Sequence, residues 1–391
     1  MGLMQKIEAL GEAAQYDLCT AGNHPSGRLK TASRTALPDR DLDRWIYPTQ
    51  MQGGKRLRVL KVLMTNVCNK DCYYCGLRAS RDVPRVQFTP DELARAFDRL
   101  ERANLVDGMF LSSGVCASAD DTMGRMIDCI ELLRDAYEFS GYVHLKILPG
   151  ASESHIERAL QLAQRVSINL EAPNPERLEV IAPRKAFFEE LTRPMRIAKK
   201  LMDASGGRLA PSGQTTQFVV GAAGEADSEI LSTMDELYRD LDLRRAYYSR
   251  FNPIPGTALD GREPTPAWRE HRLYQADWLL RFYGFRYEDL VFDQEGNLPR
   301  KADPKMLYAR NHPERFPIEV NRAPRRELLR VPGLGPTSVG RLLEWRRQGT
   351  LRKLEDLGRA GAVAERAAPY VLLAGKRPPH QLSFWEDRGP W

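Results

Sequence analysis

Cysteine is scarce in this chain, with six in 391 residues. That is too few for a disulfide framework at this length, and a reducing, cytoplasmic setting is expected. Long apolar runs are missing too. No stretch approaches the roughly 18 residues a membrane helix needs. The opening Met1-Gly-Leu-Met-Gln-Lys6 has neither a long apolar core nor a cleavage site, so no signal peptide is expected. What remains, 42% hydrophobic and 28% charged, is the composition of an ordinary globular protein, and the length suggests two or three domains.

The net charge of +6 is uneven. Arg322 to Arg377 holds 13 Lys/Arg against 5 Asp/Glu, a surplus of eight, so the rest of the chain is slightly acidic. A nearly neutral body with a basic C-terminal module points to a polyanionic partner for that module.

Three of the cysteines stand together in Cys68-Asn-Lys-Asp-Cys72-Tyr-Tyr-Cys75, behind an apolar run, Val59–Met64, that reads as a buried strand. Three thiolates on one loop suit a soft metal site. They fall one short of a closed structural zinc site, and on a four-iron cluster they leave one iron open. The alternatives are a zinc site borrowing Cys19, Cys116 or Cys129, or three unrelated thiols; Cys19 by itself reads as a small buried residue.

The CxxxCxxC spacing, with Tyr74 just before the third cysteine, resembles the radical S-adenosylmethionine (SAM) superfamily. The resemblance implies that Cys68, Cys72 and Cys75 hold a [4Fe-4S] cluster whose open iron chelates the amino and carboxylate groups of SAM. Reductive cleavage of SAM would then yield a 5′-deoxyadenosyl radical.

From Arg58 to Pro255 short apolar runs alternate with amphipathic stretches. Strands are expected at 59–64, 108–111, 142–148, 166–170, 216–220 and 246–251. Helices are expected at 90–103, 122–139, 153–163, 187–204 and 228–241. Six strands alternating with helices imply a parallel sheet with right-handed crossovers, too short for a closed eight-fold barrel. The expected class is therefore α/β, a partial (β/α)6 barrel, which the resemblance also implies. Polar residues in such buried strands need a reason, commonly chemistry at the carboxyl ends. Ser112, Ser113, Lys146, Asn169, Glu171, Gln217, Tyr248 and Arg250 are candidates. By resemblance, Ser112-Ser113-Gly114 stands where the superfamily carries a Gly-Gly-Glu-like motif, with Gly114 in place of the acid. Asn169 and Glu171 look like fourth-strand SAM ligands, Tyr74 would lie near the adenine, and Arg250 completes the expected cofactor set. Gly221–Glu225 resembles the end of a fifth-strand motif. No catalytic residue is assigned.

Residues 325–376 carry a second pattern. Arg326 to Trp345 reads as helix, tight turn over Pro332-Gly-Leu-Gly335, helix, with Pro336 in the first turn of the second helix. It resembles the helix-hairpin-helix family, which grips DNA phosphates without reading sequence. Gly333, Gly335, Arg330 and Arg341 are the expected contacts, and 351–374 reads as a second, degenerate copy. The alternative is a docking module for proteins. In the tail, Gln381–Trp385 resembles a sliding-clamp-binding peptide.

The expected organisation is an N-terminal extension (1–55), the barrel (56–300), a connector (301–321), an all-α helix-hairpin-helix module (322–376) and a flexible tail (377–391). Barrel plus hairpin resemble a subgroup of DNA modification or repair radical SAM proteins linked to a uracil-DNA-glycosylase-like protein. DNA, that protein, a sliding clamp and a reductase or flavodoxin are the expected partners. The rival readings are a radical SAM enzyme acting on RNA or protein, and a non-enzymatic iron-sulfur redox sensor that binds DNA.

Overall fold

The structure is a computed structural model that describes residues 1–14, 44–50 and 56–379. Cys19 and the Gln381–Trp385 peptide lie outside the described residues. The chain divides into two compact units, residues 1–225 with 236–266, and residues 226–235 with 267–391.

The first unit is built on a seven-stranded sheet in chain order. After helix α1 (Leu3–Ala13) come β1 (Ile46–Gln50), β2 (Arg56–Leu63), α2 (Pro90–Arg102), β3 (Gly108–Ser112), α3 (Ala119–Asp135) and β4 (Tyr142–Lys146). Then follow α4 (Glu153–Leu162), β5 (Arg165–Ser167), α5 (Pro175–Ile181), a π-helical segment (Phe187–Thr192), α6 (Arg193–Ala204), β6 (Gln214–Val220), α7 (Asp227–Leu241) and β7 (Arg245–Arg250). Strands β2 to β7 are parallel. β1 is antiparallel to β2, so the sheet begins before residue 56, the expected boundary of the barrel.

Local chemistry sets these elements. Thr89 caps α2 by accepting from the Glu92 amide at 3.2 Å, while Glu92 accepts from the Thr89 amide at 2.9 Å, and Pro90 supplies a first-turn residue that needs no donor. Ser118 caps α3 and Asn174 caps α5 through side-chain oxygens that accept from amides of the first turn. Alternation sorts the two faces of the sheet. Leu60, Val62, Met109, Leu111, Val143, Leu145, Val166 and Val220 are buried on one face. The other face carries Lys61, His144, Ser167, Thr215 and Gln217, also buried. Val59 of β2 packs in one cluster with Phe110, Tyr142 and Tyr247 of β7, so the sheet curls until its second and last strands share side-chain contacts. The polar face is therefore the concave one, in a half-barrel arrangement.

The second unit contains α8 (Ala267–Phe282), α9 (Pro304–Asn311), β8 (Ile318–Glu319), α10 (Arg325–Leu328), α11 (Pro336–Gln348), α12 (Leu354–Arg359), α13 (Ala364–Ala367) and β9 (Val371–Leu372). Two helix–turn–helix pairs, α10–α11 and α12–α13, share an apolar core that includes Leu328, Leu334, Val339, Leu342, Leu357 and Ala367. Each turn holds a glycine in the left-handed region, Gly333 at φ 85° and Gly361 at φ 87°. The Val363 amide donates to the Gly333 carbonyl at 3.0 Å, which locks the two turns together.

The domain boundaries differ from expectation here. Residues 267–321, expected as barrel end and connector, pack with 322–376. Arg330 gives the physical reason. It is buried, pairs with Asp289 at 2.9 Å, and lies over the Phe285 and Tyr308 rings at 4.4 and 4.7 Å. Lys305 Nζ likewise donates to the Leu334 carbonyl in the first turn. Among the described residues no helix is long and apolar enough to cross a membrane.

Candidate active site

The cysteine loop leaves the carboxyl end of β2 and is tied down before it reaches the first thiol. Buried Thr65 donates to the Val86 carbonyl at 3.1 Å, and the Val67 amide donates back to Thr65 Oγ1 at 3.0 Å. Asn66 pairs with the Pro84 carbonyl and the Val86 amide at 2.9 and 2.7 Å. Arg85 then gathers the loop from within. Its guanidinium donates to the carbonyls of Asn66, Leu77, Arg78 and Arg81, all at 2.7–2.8 Å. Asp71 and Arg78 close the loop with a two-pronged pair, 2.7 Å on each prong, and Ser80 adds a third donor to Asp71. Arg78 therefore holds the Asp71 carboxyl well below the ordinary carboxylate range.

The β3 loop rests directly on this one. The Gly114 amide donates to the Thr65 carbonyl at 2.8 Å. A Cβ at 114 would stand 2.5 Å from the Val67 oxygen and 3.2 Å from Cys68 Cβ. That close approach explains why glycine takes the place of an acidic side chain. Ser112 is buried at the strand end, and the buried Ser113 hydroxyl has no hydrogen-bond partner among the described residues.

Across the sheet, Asn169 and Glu171 follow β5 and are both buried. Glu171 adopts φ 67°, a left-handed conformation that non-glycine residues avoid and that marks functional sites when it persists. It is pinned there by the ladder to β6: its amide donates to the Gln217 carbonyl at 2.9 Å, and the Val219 amide donates to its own carbonyl at 2.8 Å. Its carboxylate meets Lys185 Nζ at 3.2 Å, and Lys185 also lies 3.3 Å from the Tyr74 hydroxyl. Both side chains of this ion pair are more than nine-tenths buried.

Lys185 was not singled out by any motif. It sits in an irregular segment behind α5, where neither period nor spacing marks it. Burial works to lower its pKa, but the adjacent Cys72, Glu171 and Cys75 charges together raise it above that of an ordinary lysine. Burial also pushes the Cys72 thiol up and the Cys75 thiol up to about 12, with Lys185 opposing the rise at both. A buried cation beside a carboxylate and two thiols is the counterpart that an anionic site needs.

Of the remaining candidates, Arg250 ends β7, and Lys146 and Gln217 lie on the concave face. Glu225 serves its own loop, which it closes by accepting from the Gly221 and Ala223 amides. Cys129 is buried inside α3. Among the described residues no three His, Cys, Asp or Glu side chains are placed to hold a single metal ion.

Residues 62–237 match the family model of the radical SAM superfamily. The chain carries a radical SAM domain. Members of the superfamily are enzymes, and the cofactors of a radical SAM domain are a [4Fe-4S] cluster and SAM. No curated protein matches the sequence. Solved structures that resemble the chain include the FeFe-hydrogenase maturase HydG from Carboxydothermus hydrogenoformans, at 15% identity and TM-score 0.46, covering 57% of this chain and 51% of that one. Methylornithine synthase (PylB) is similar at 16% identity and TM-score 0.46, covering 57% and 61%. The radical SAM methyltransferase TsrM from Kitasatospora setae is similar at 12% identity and TM-score 0.40, covering 55% and 39%. The chain thus spans between 39 and 61% of the length of these structures.

The residues present fit the radical SAM cofactors. Cys68, Cys72 and Cys75 stand on one loop and would ligate three irons. Gly114 keeps the β3 loop against Cys68 with no side chain between. The partnerless Ser113 hydroxyl is a buried donor awaiting an acceptor.

Proposed function

We propose that this radical SAM domain acts on DNA, in modification or repair. Cys68, Cys72 and Cys75 would hold the cluster, and Ser112, Ser113, Gly114, Asn169, Glu171 and Arg250, with Tyr74 and Lys185 beside them, would hold SAM. Bound there, the two cofactors supply a 5′-deoxyadenosyl radical that takes a hydrogen atom from the substrate. The chain's own part is positioning and exclusion of water. Arg85 and the Asp71–Arg78 pair keep the loop rigid, Lys185 offsets negative charge in a buried site, and the curled sheet shields the reacting atoms.

The observation that carries the DNA reading is the basic surplus of eight over Arg322–Arg377, the stretch that forms the paired helix–turn–helix units. Arg325, Arg326 and Arg347 are exposed there and available to phosphates, and Arg341, also exposed, donates to the Ala360 carbonyl at 3.3 Å. Two of the expected contacts change role. Arg330 is buried and ion-paired within the module. The Gly335 amide is taken by the Ser338 hydroxyl at 2.8 Å. Arg346 also serves the fold, donating to the Val320 and Ala323 carbonyls. A helix-hairpin-helix grip would therefore run through the exposed arginines and the Gly333 turn. A uracil-DNA-glycosylase-like protein, a sliding clamp at Gln381–Trp385 and a reductase or flavodoxin belong to the same proposal as partners. The test is DNA binding by the full chain at several salt concentrations. Affinity that falls steeply with salt supports the reading, and absence of binding removes it.

A further inference from the structure

The segment that brings Lys185 into the site also faces outward. Lys185 is buried against Glu171, while its neighbour Arg184 is exposed, and its guanidinium makes no ion pair among the described residues. Three residues on, the π-helical segment Phe187–Thr192 begins. Such turns are rare and concentrate at functional sites. Phe188 on this segment is 57% exposed and meets Phe187 edge to face at 5.4 Å between centroids.

A cleft of about 400 Å³ opens beside this segment, lined by Lys70 of the cysteine loop, Val115 after β3, Pro149 after β4, and Arg184 and Glu190. Its walls thus include the loops that follow three successive strands, on the side of the sheet at which barrel chemistry sits. Lys70 Nζ staples the two sides, donating to Glu190 at 2.6 Å and to the Arg184 carbonyl at 3.2 Å. Residues 184–200 carry six Lys/Arg against two Asp/Glu, and Arg193 and Arg196 are exposed with Arg184.

An exposed ring beside arginines that have no carboxylate partner among the described residues is a combination that binds an unpaired nucleic-acid strand. Bases stack on the ring, and phosphates meet the guanidinium groups. We infer that the Arg184–Phe188 face and its cleft take a single, unpaired stretch of DNA strand at the mouth of the radical site. This rests on the proposed action on DNA and deepens it. The exposed arginines of the second unit would grip duplex, while this face takes the strand that has left the stack, as chemistry on a base requires.

The test is fluorescence anisotropy of full-length, cluster-loaded protein with a labelled single-stranded oligodeoxynucleotide and, separately, a duplex. Phe188→Ala is expected to weaken single-strand binding on the order of tenfold. Arg184→Gln is expected to lower the salt slope by about 0.7, with Arg184→Lys restoring most of it. Both sites are exposed, so cluster absorbance and thermal melting serve as folding checks. Wild-type protein that binds DNA while the variants bind the single strand equally well would overturn this inference and leave the DNA reading standing. Wild-type protein that binds neither DNA form would overturn both. Variants that keep DNA affinity but lose binding to polyglutamate would overturn it too, assigning the face to an acidic protein instead.

Discussion

Lys185 and Glu171 form an ion pair of 3.2 Å, buried on both sides, beside Cys72 and Cys75 of the radical SAM domain. Glu171 holds its place only by adopting a left-handed backbone, and Lys185 reaches it from a segment with no regular structure until residue 187. Lys185→Met would leave a buried carboxylate uncompensated and should destabilise the first unit by roughly 3 kcal/mol. Lys185→Met with Glu171→Met should recover most of that loss. Chemical denaturation of wild type and both variants checks this, and a single Lys185→Met as stable as wild type would show that the pair is not held as described.

Arg85 gathers the cysteine loop from within. Its guanidinium serves four carbonyls of the cysteine loop, so Arg85→Gln strands most of them. The expected cost is roughly 2–3 kcal/mol, concentrated in the loop. The variant should fold but lose iron and visible cluster absorbance on gel filtration faster than wild type. Equal iron retention would deny Arg85 this role.

Lys305 gives a pH dependence. Burial lowers its pKa from 10.5 to about 7, with Arg366 adding to the fall and Asp303 opposing it. The folded value lies below the unfolded one, so unfolding takes up a proton between those limits. Stability of the second unit should therefore rise as pH increases from about 7 to about 10, by on the order of 3–5 kcal/mol in the ideal case. Below pH 7 the full cost of a buried charge is present. Lys305→Met should remove this slope, and melting curves across the window in both proteins measure it.

Gly333 is held at φ 85°, and a Cβ there would stand 2.4 Å from the Val363 oxygen. Gly333→Ala must both strain the backbone and part the two turns. A loss of at least about 2 kcal/mol in the second unit is expected, together with weaker DNA binding and an unchanged cluster spectrum. Undiminished DNA binding in a folded variant would take the turn out of the interface.

Much of the architecture was legible because it is periodic. Apolar runs separated by amphipathic stretches placed all six parallel strands within about three residues, and Thr89-Pro90 marked a helix start through chemistry that acts locally. The cysteine loop was legible because three thiols within eight residues form a pattern visible in the sequence itself. What escaped depends on contacts distant in sequence. Lys185 and Arg85 are lone cations in irregular chain, and nothing in their neighbours says which carboxylate or carbonyls they will meet. Arg330 misled for the same reason: charge counts in a sequence do not separate an arginine stacked on Phe285 and Tyr308 from one facing solvent. The grouping of 267–321 with the C-terminal helices likewise rests on that burial. Strand β1 was missed because five residues with a central proline, Ile46–Gln50, look like loop until β2 offers an edge.

On the function proposed above, this chain generates a radical from SAM and directs it at DNA. Purified protein, reconstituted with iron and sulfide and reduced without oxygen, should convert SAM to 5′-deoxyadenosine, and added DNA should increase the yield. Production indifferent to DNA would keep the radical chemistry and move the substrate elsewhere. No 5′-deoxyadenosine from protein carrying a full, reduced cluster would contradict the account and favour a cluster that senses rather than reacts.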